Sequence, residues 1–229
     1  MTIHEQLEKM RMDWDRRARE NARFFVATTK QDWTDDDFFA SGERTVAEQI
    51  LTDMTNICQG KAPRDMRVLE IGCGAGRVTK ALADLFGEVH AVDISSIMLE
   101  HARIALKAFP NVRLYQNNGL DLSIMSAGEF DFAFSTIVFQ HIPSYEVIES
   151  YIREVNRLLV PGALFKFQVQ GYAGVDITPD DTWVGVPFTE EQAVAMALKC
   201  GFEPRHAHGA GTQDFWLWFF KNREMHCTA

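Results

Sequence analysis

The stretch Val68–Ala83, "VLEIGCGAGRVTKALA", decides how this chain of 229 residues is read. Gly72, Gly74 and Gly76 alternate behind an apolar run and ahead of a helical pattern. Glycine admits backbone conformations closed to other residues and lets the main chain approach a ligand closely. The helix that follows adds partial positive charge at its N-terminus. The spacing is E-x-G-x-G-x-G, headed by Glu70. A dinucleotide fingerprint, GxGxxG counted from Gly72, would need glycine where Arg77 stands, and the Gly-Lys-Ser/Thr ending of a P-loop is absent.

Around this loop the chain alternates strand and helix. Short apolar strands are predicted at "MRVLEIG" (66–72), "EVHAVDI" (88–94), "VRLYQN" (112–117), "FDFAFSTIV" (130–138) and "ALFKFQVQG" (163–171). Helical patterns lie between them: "RVTKALADLF" (77–86) ended by Gly87, "SSIMLEHARIALKAF" (95–109) stopped by Pro110, and "SYEVIESYIREVNRLLV" (144–160) closed by Pro161-Gly162. Such alternation implies an α/β fold with a parallel sheet and helices on both faces. Right-handed crossovers then put a ligand crevice at the carboxyl ends of the strands. Toward the C-terminus, Thr189 and Gln192 have capping-box spacing at the start of a helix that Gly201 stops. "EPRHAHGAGTQDFWLWFFK" (203–221) reads as an edge β-hairpin. Residues 1–60 form a separate helical cap, one helix over about 4–29 and another over 43–59, joined by the acidic, aromatic loop "KQDWTDDDFFASG" (30–42). Residues 61–229 are the main domain, with an irregular insertion at about 172–188.

The loop and four further segments together resemble class I S-adenosylmethionine-dependent methyltransferases. Glu70–Gly76 resembles that family's first motif and Asp93 its second-strand acid. "YQNNGLDLS" (115–123), "EFDFAFSTIVFQHIP" (129–143) and "EVNRLLVPGALFKFQV" (154–169) follow in the family's order, so the resemblance spans about residues 45–220. It implies a Rossmann-like seven-stranded, mostly parallel sheet with an antiparallel edge hairpin, and S-adenosyl-L-methionine as cofactor, with S-adenosyl-L-homocysteine as product. Glu70 would meet the methionine amino group, with Ser135 offering a carbonyl to the same amine. Gly72, Cys73, Gly74 and Gly76 would approach the amino-acid end. Asp93 would accept from the ribose hydroxyls, with Ile94 beside it; a plain helix-capping acid is the alternative. Asn118 stands where the family often has an adenine-binding aspartate, and Asn117 adjoins it. Gly119 and Leu120 would offer backbone to the adenine edge. Met98 covers the adenine or simply packs in the core.

Methyl transfer from a sulfonium is an in-line displacement, so the protein mainly positions the acceptor. A base is needed only where the acceptor keeps its proton. His141 is the candidate base, or else it shapes the loop before Pro143. Gln140, Trp14, Phe25 and Trp183 are the candidate acceptor contacts, drawn from a wider aromatic set that includes Phe24, Trp33, Phe38 and Phe39. Asp176, Asp180 and Asp181 would attract a basic acceptor or be ordinary solvated loop acids.

Composition narrows the partners. Lys plus Arg is 23 against 32 Asp plus Glu, a net charge of −9, a poor match for a nucleic-acid backbone. An Asn/Asp-Pro-Pro-aromatic motif is also absent after the fourth strand. Four scattered cysteines without a CxxC pair point to free thiols in a reducing cytoplasm, and no metal is called for. No apolar run approaches membrane-spanning length, so neither a membrane nor a nucleic acid is expected as a partner. The expected reaction is methylation of a small-molecule O- or N-nucleophile. A cofactor-binding protein without turnover, or a nucleic-acid or protein methyltransferase, is the alternative. Oligomeric state is not legible.

Overall fold

The apolar run ahead of the glycines becomes β1 (Arg67–Ile71), an interior strand of a seven-stranded sheet. In this computed structural model, which describes residues 2–172, 174 and 182–223, the other strands are β2 (Glu88–Asp93), β3 (Val112–Gln116), β4 (Phe130–Ser135), β5 (Leu159–Val169), β6 (Phe202–His208) and β7 (Phe215–Lys221). Their order is β3-β2-β1-β4-β5-β7-β6. β1 to β5 run parallel, and β7 enters antiparallel between β5 and β6. The order reverses between β1 and β4, and that switch point opens a crevice at the strands' carboxyl ends.

The helices are α1 (Ile3–Val26), α2 (Asp35–Gln49), the short α3 (Met54–Cys58), α4 (Arg77–Leu85), α5 (Ser96–Ala105), α6 (Tyr145–Leu158) and α7 (Glu190–Lys199). Successive strand residues point to opposite faces, so β1 divides its apolar side chains between two cores. Val68 packs with Val78 and Leu82 of α4, while Leu69 and Ile71 join the core that holds Ile148, Ile152 and Val155 of α6. Both faces are covered, which explains why these strands read as continuous apolar runs. The Thr189–Gln192 capping box and the edge hairpin form as expected.

Three elements differ from the sequence reading. The loop assigned to residues 30–42 is largely helix: α2 starts at Asp35, because the Thr34 side chain accepts from Asp37 N and three acids fill the first turn, where they complement the helix dipole. Pro161-Gly162 lies inside β5 and not in a turn after α6. It falls in an irregular stretch between the pairs Phe130–Leu159 and Phe132–Leu164, so the missing proline N–H breaks no ladder bond. Finally, α1 bends at Asn21, whose backbone leaves the helical region and whose Oδ1 accepts from Phe24 N at 3.1 Å. That bend carries Phe25 and Val26 over the glycine loop.

Of the insertion at 172–188, residues 173 and 175–181 lie outside the described residues, and with them Asp176, Asp180 and Asp181. Among the described residues, no helix is long and apolar enough to cross a membrane.

Candidate active site

The glycine loop opens into a cavity of about 850 Å3, counted to its mouth, at the carboxyl ends of β1, β2 and β4. Gly72 and Gly74 have φ of +73° and +52°. A Cβ on Gly72 would sit 2.2 Å from Val138, and one on Gly74 2.7 Å from Val26. Side chains from two other segments therefore close directly onto this backbone. Gly76 forms the N-cap of α4 behind the cavity wall. Cys73 lines the cavity, and burial raises its thiol well above the usual range.

Asp93 ends β2 and braces the loop. Its Oδ2 accepts from Gly74 N and its Oδ1 from Ser95 N, each at 2.8 Å. Each carboxylate oxygen has a second lone pair for a ligand hydroxyl. Burial pushes this acid up to about 6. Glu70, near the end of β1, is 3% exposed, and its Oε2 has no hydrogen-bond partner. Burial pushes it up to about 7, against the pull of the nearby Thr79 hydroxyl and the Arg77 charge. Arg77 is itself buried; one of its terminal nitrogens donates to Ser41 O and Thr45 Oγ1, while its Nε stays unpartnered. One carboxylate oxygen and one guanidinium N–H, both buried and both unmatched, thus belong to side chains lining the same cavity.

At the other end, Asn117 lines the cavity and Asn118 does not. Asn118 is exposed, and its Oδ1 accepts from Leu120 N and Asp121 N. It builds the turn after β3. Gly119 and Leu120 are also off the cavity lining, and a Cβ on Gly119 would meet Ile94 at 2.5 Å. Ile94 and Met98 do line the cavity, and Met98 also packs with Ala75. Ser135 is fully buried, with its hydroxyl donating to Ile71 O.

After β4 the chain passes through Thr136, Ile137 and Val138, all in the cavity wall. Ile137 has φ +57°, a costly conformation for a β-branched residue. Buried Gln168 of β5 holds it. Its Oε1 accepts from Ile137 N and Thr136 Oγ1, and its Nε2 donates to Gln140 Oε1 and Asp214 Oδ1. Gln140 is therefore engaged behind the wall, and its carbonyl accepts from Gly185 N. His141 does line the cavity; its Nδ1 bonds the Trp183 carbonyl. The His141 ring sits 5.3 Å from Trp14 and 4.8 Å from Trp183. Trp14 and Phe25 line the cavity, whereas Trp183 packs behind them against both rings. Met10, Val26, Arg77, Asn117 and Tyr151 also line the cavity. Sequence reading assigned none of these five a site role beyond naming Asn117 as the neighbour of Asn118. The buried basic position just after the glycines was the one available signal for Arg77.

His206 and His208 alternate on the exposed edge strand β6. Among the described residues, no cluster of three metal-capable side chains occurs.

Residues 68–162 match the family described as "Methyltransferase domain". A ubiquinone biosynthesis O-methyltransferase from Xanthomonas axonopodis pv. citri is 32% identical over 101 residues, 44% of this chain and 41% of that protein. The match therefore spans about two fifths of that curated relative. Two solved structures share the fold. Phosphoethanolamine N-methyltransferase 1 of Haemonchus contortus, in complex with phosphoethanolamine and S-adenosylhomocysteine, superposes with a TM-score of 0.72 at 14% identity, over 99% of this chain and 51% of that one. Magnesium protoporphyrin IX methyltransferase of Synechocystis PCC 6803, with bound S-adenosylmethionine, does so with a TM-score of 0.68 at 15% identity, over 95% and 97% of the two chains.

Proposed function

We propose that this chain, which belongs to the class I S-adenosylmethionine-dependent methyltransferases, transfers the cofactor's methyl group to a small-molecule O- or N-nucleophile. The observation that carries this is chemical fit at three points of one cavity. The unmatched Glu70 Oε2 and Arg77 Nε suit the ammonium and carboxylate of an amino acid. The spare lone pairs of Asp93 suit a ribose diol. The unmatched Asn117 Oδ1 suits an adenine amine. Arg77, where a dinucleotide fingerprint would need its third glycine, weighs against a dinucleotide.

The cofactor supplies an already activated methyl group on a sulfonium sulfur. The chain's own part is to bind, orient and exclude water. Thr136, Ile137 and Val138, pinned through Gln168, form a stiff wall on the acceptor side. Trp14, Phe25 and Val26 make an apolar roof. In the neutral His141 ring, an Nδ1–H donating to the Trp183 carbonyl makes Nε2 the basic nitrogen. His141 then takes the acceptor's proton where that proton is not lost unaided. The net negative charge of the chain supports a small acceptor over a nucleic acid. So do the small molecules named for the three relatives.

Calorimetry with S-adenosylmethionine, S-adenosylhomocysteine and NAD tests the donor. The first two bind and NAD does not; the reverse pattern sinks the reading. Incubation of metabolite pools with enzyme and methyl-labelled cofactor then identifies the acceptor by its mass gain of one CH2. With that acceptor in hand, His141→Ala lowers turnover most at pH values where the acceptor still carries its proton. Unchanged turnover across pH removes the base role.

A further inference from the structure

If the adenosine half of the cofactor lies at the ends of β2 and β3, as proposed above, its base meets Asn117. The side chain of Asn117 is 6% exposed. Its Nδ2 donates to Tyr151 Oη at 2.6 Å and faces the Asp121 carbonyl at 3.5 Å. The Asp121 carbonyl fixes which way the amide points, since an oxygen turned toward it would be repelled. Oδ1 is left buried with no partner. It is an acceptor awaiting a donor.

Adenine needs more than one acceptor for recognition. Its Watson–Crick edge offers the exocyclic amine as donor and ring nitrogen N1 as acceptor, side by side. Asn118, Gly119 and Leu120, the turn after β3, all stand off the cavity lining. Leu120 N–H is committed to Asn118 Oδ1 at 2.8 Å. Tyr151, on α6, does line it and is 5% exposed. Its hydroxyl oxygen already accepts from Asn117, so its own proton is free to be donated. Burial raises its ionisation, which keeps that proton in place at neutral pH. The ring is held edge to face against Phe139 at 5.8 Å.

We propose that Asn117 and Tyr151 read the Watson–Crick edge of adenine as a pair, Asn117 Oδ1 accepting from the amine and Tyr151 Oη donating to N1. The pair is pre-assembled by its own hydrogen bond, and Asn118 serves it by building the turn that carries Asp121.

The test is calorimetry on the full chain with S-adenosylhomocysteine and its 1-deaza analogue, in which C–H replaces N1. The wild-type protein binds the natural ligand about tenfold more tightly than the analogue, the worth of one such hydrogen bond. Tyr151→Phe binds S-adenosylhomocysteine about tenfold more weakly and no longer separates the two ligands. A tyrosine that merely held Asn117 in place would weaken both ligands alike and leave the tenfold ratio intact, so a retained ratio in Tyr151→Phe overturns the proposal. Equal affinities in the wild type overturn it without any variant. Thermal unfolding of ligand-free Tyr151→Phe checks the fold, and the wild-type comparison of the two ligands decides alone if that variant does not fold. Failure of the wild type to bind S-adenosylhomocysteine at all removes the cofactor reading itself, and this pair with it.

Discussion

Glu70 is a buried acid whose ionised form has no full set of partners, and its sign can be worked out. Its ordinary value is 4.5, and burial raises it to about 7 in the folded chain. Between those values the unfolded chain loses the proton and the folded chain keeps it. The contribution of Glu70 to stability is therefore full below about pH 4.5 and falls as pH rises toward about 7. On the proposed reading cofactor binding has the opposite dependence, because the ammonium would pair with the ionised carboxylate. Affinity for S-adenosylmethionine should rise through about pH 7 and level off above it. Glu70→Gln should flatten both curves, raise the ligand-free melting midpoint at pH 8 relative to pH 5, and weaken cofactor binding about ten- to a hundredfold. Melting curves and calorimetry at several pH values check this; a variant with wild-type pH dependence refutes it. That Glu70, Gly72, Gly74 and Asp93 would come together around one cavity was legible because a strand, a loop and a helix fix their places in order. Asn117 was not, because a strand end alternates faces and an error of one residue turns a cavity lining into a turn builder. Tyr151 was not, because it arrives from a helix far along the chain.

Helices α2 and α4 meet through a residue with no side chain. A Cβ added to Gly42 would lie 1.9 Å from the carbonyl oxygen of Arg77. On the same contact, Arg77 donates to Ser41 O and Thr45 Oγ1, at 3.1 and 3.0 Å. Gly42→Ala gains helix propensity of about 1 kcal/mol but forces the helices apart, an overpacking cost of about 1–3 kcal/mol. The collision is with backbone, so the cost should win. The expected result is a fall of a few degrees in the melting midpoint together with weaker cofactor binding, since Arg77 is displaced with α4. A stabilised variant with unchanged affinity would show that α2 does not set the place of Arg77. This contact was hidden in the sequence because Gly42 read as a loop glycine. Acids and aromatics around it looked like an exposed connection, and the Thr34 cap that makes them a helical first turn lay inside that assumed loop. The strands, by contrast, were legible as apolar runs bounded by turn residues. Only the irregular entry to β5 escaped, since Pro161-Gly162 has the composition of a turn and sits in a bulged strand.

Across the whole molecule, α1 is tied over the cavity from several sides. Met10, Trp14, Phe25 and Val26 face inward. Asp15, 5% exposed, accepts from Ser95 Oγ at 2.6 Å and Ile97 N at 3.3 Å, at the start of α5. On another side Arg17 lies over the rings of Trp14 and Trp183 and donates to Thr182, whose hydroxyl donates to Asp13. A ligand the size of the proposed cofactor, held under these groups, should leave faster when α1 is freed. Asp15 is the tie that can be cut with least change to the cavity, because it is absent from the lining. Removing it strands buried donors on α5, at about 1–3 kcal/mol, and that penalty applies to the closed state alone. Asp15→Ala should therefore speed dissociation of S-adenosylhomocysteine about tenfold and raise amide exchange along α1, while the sheet keeps its protection. Asp15→Asn keeps an acceptor oxygen and should fall between the two. In the wild type, saturating S-adenosylhomocysteine should slow exchange in α1 more than in α7, which contributes no residue to the cavity lining. Equal dissociation rates in wild type and Asp15→Ala, with α1 exchange unchanged, would mean that the cofactor passes by another route and that residues 1–60 are a fixed wall.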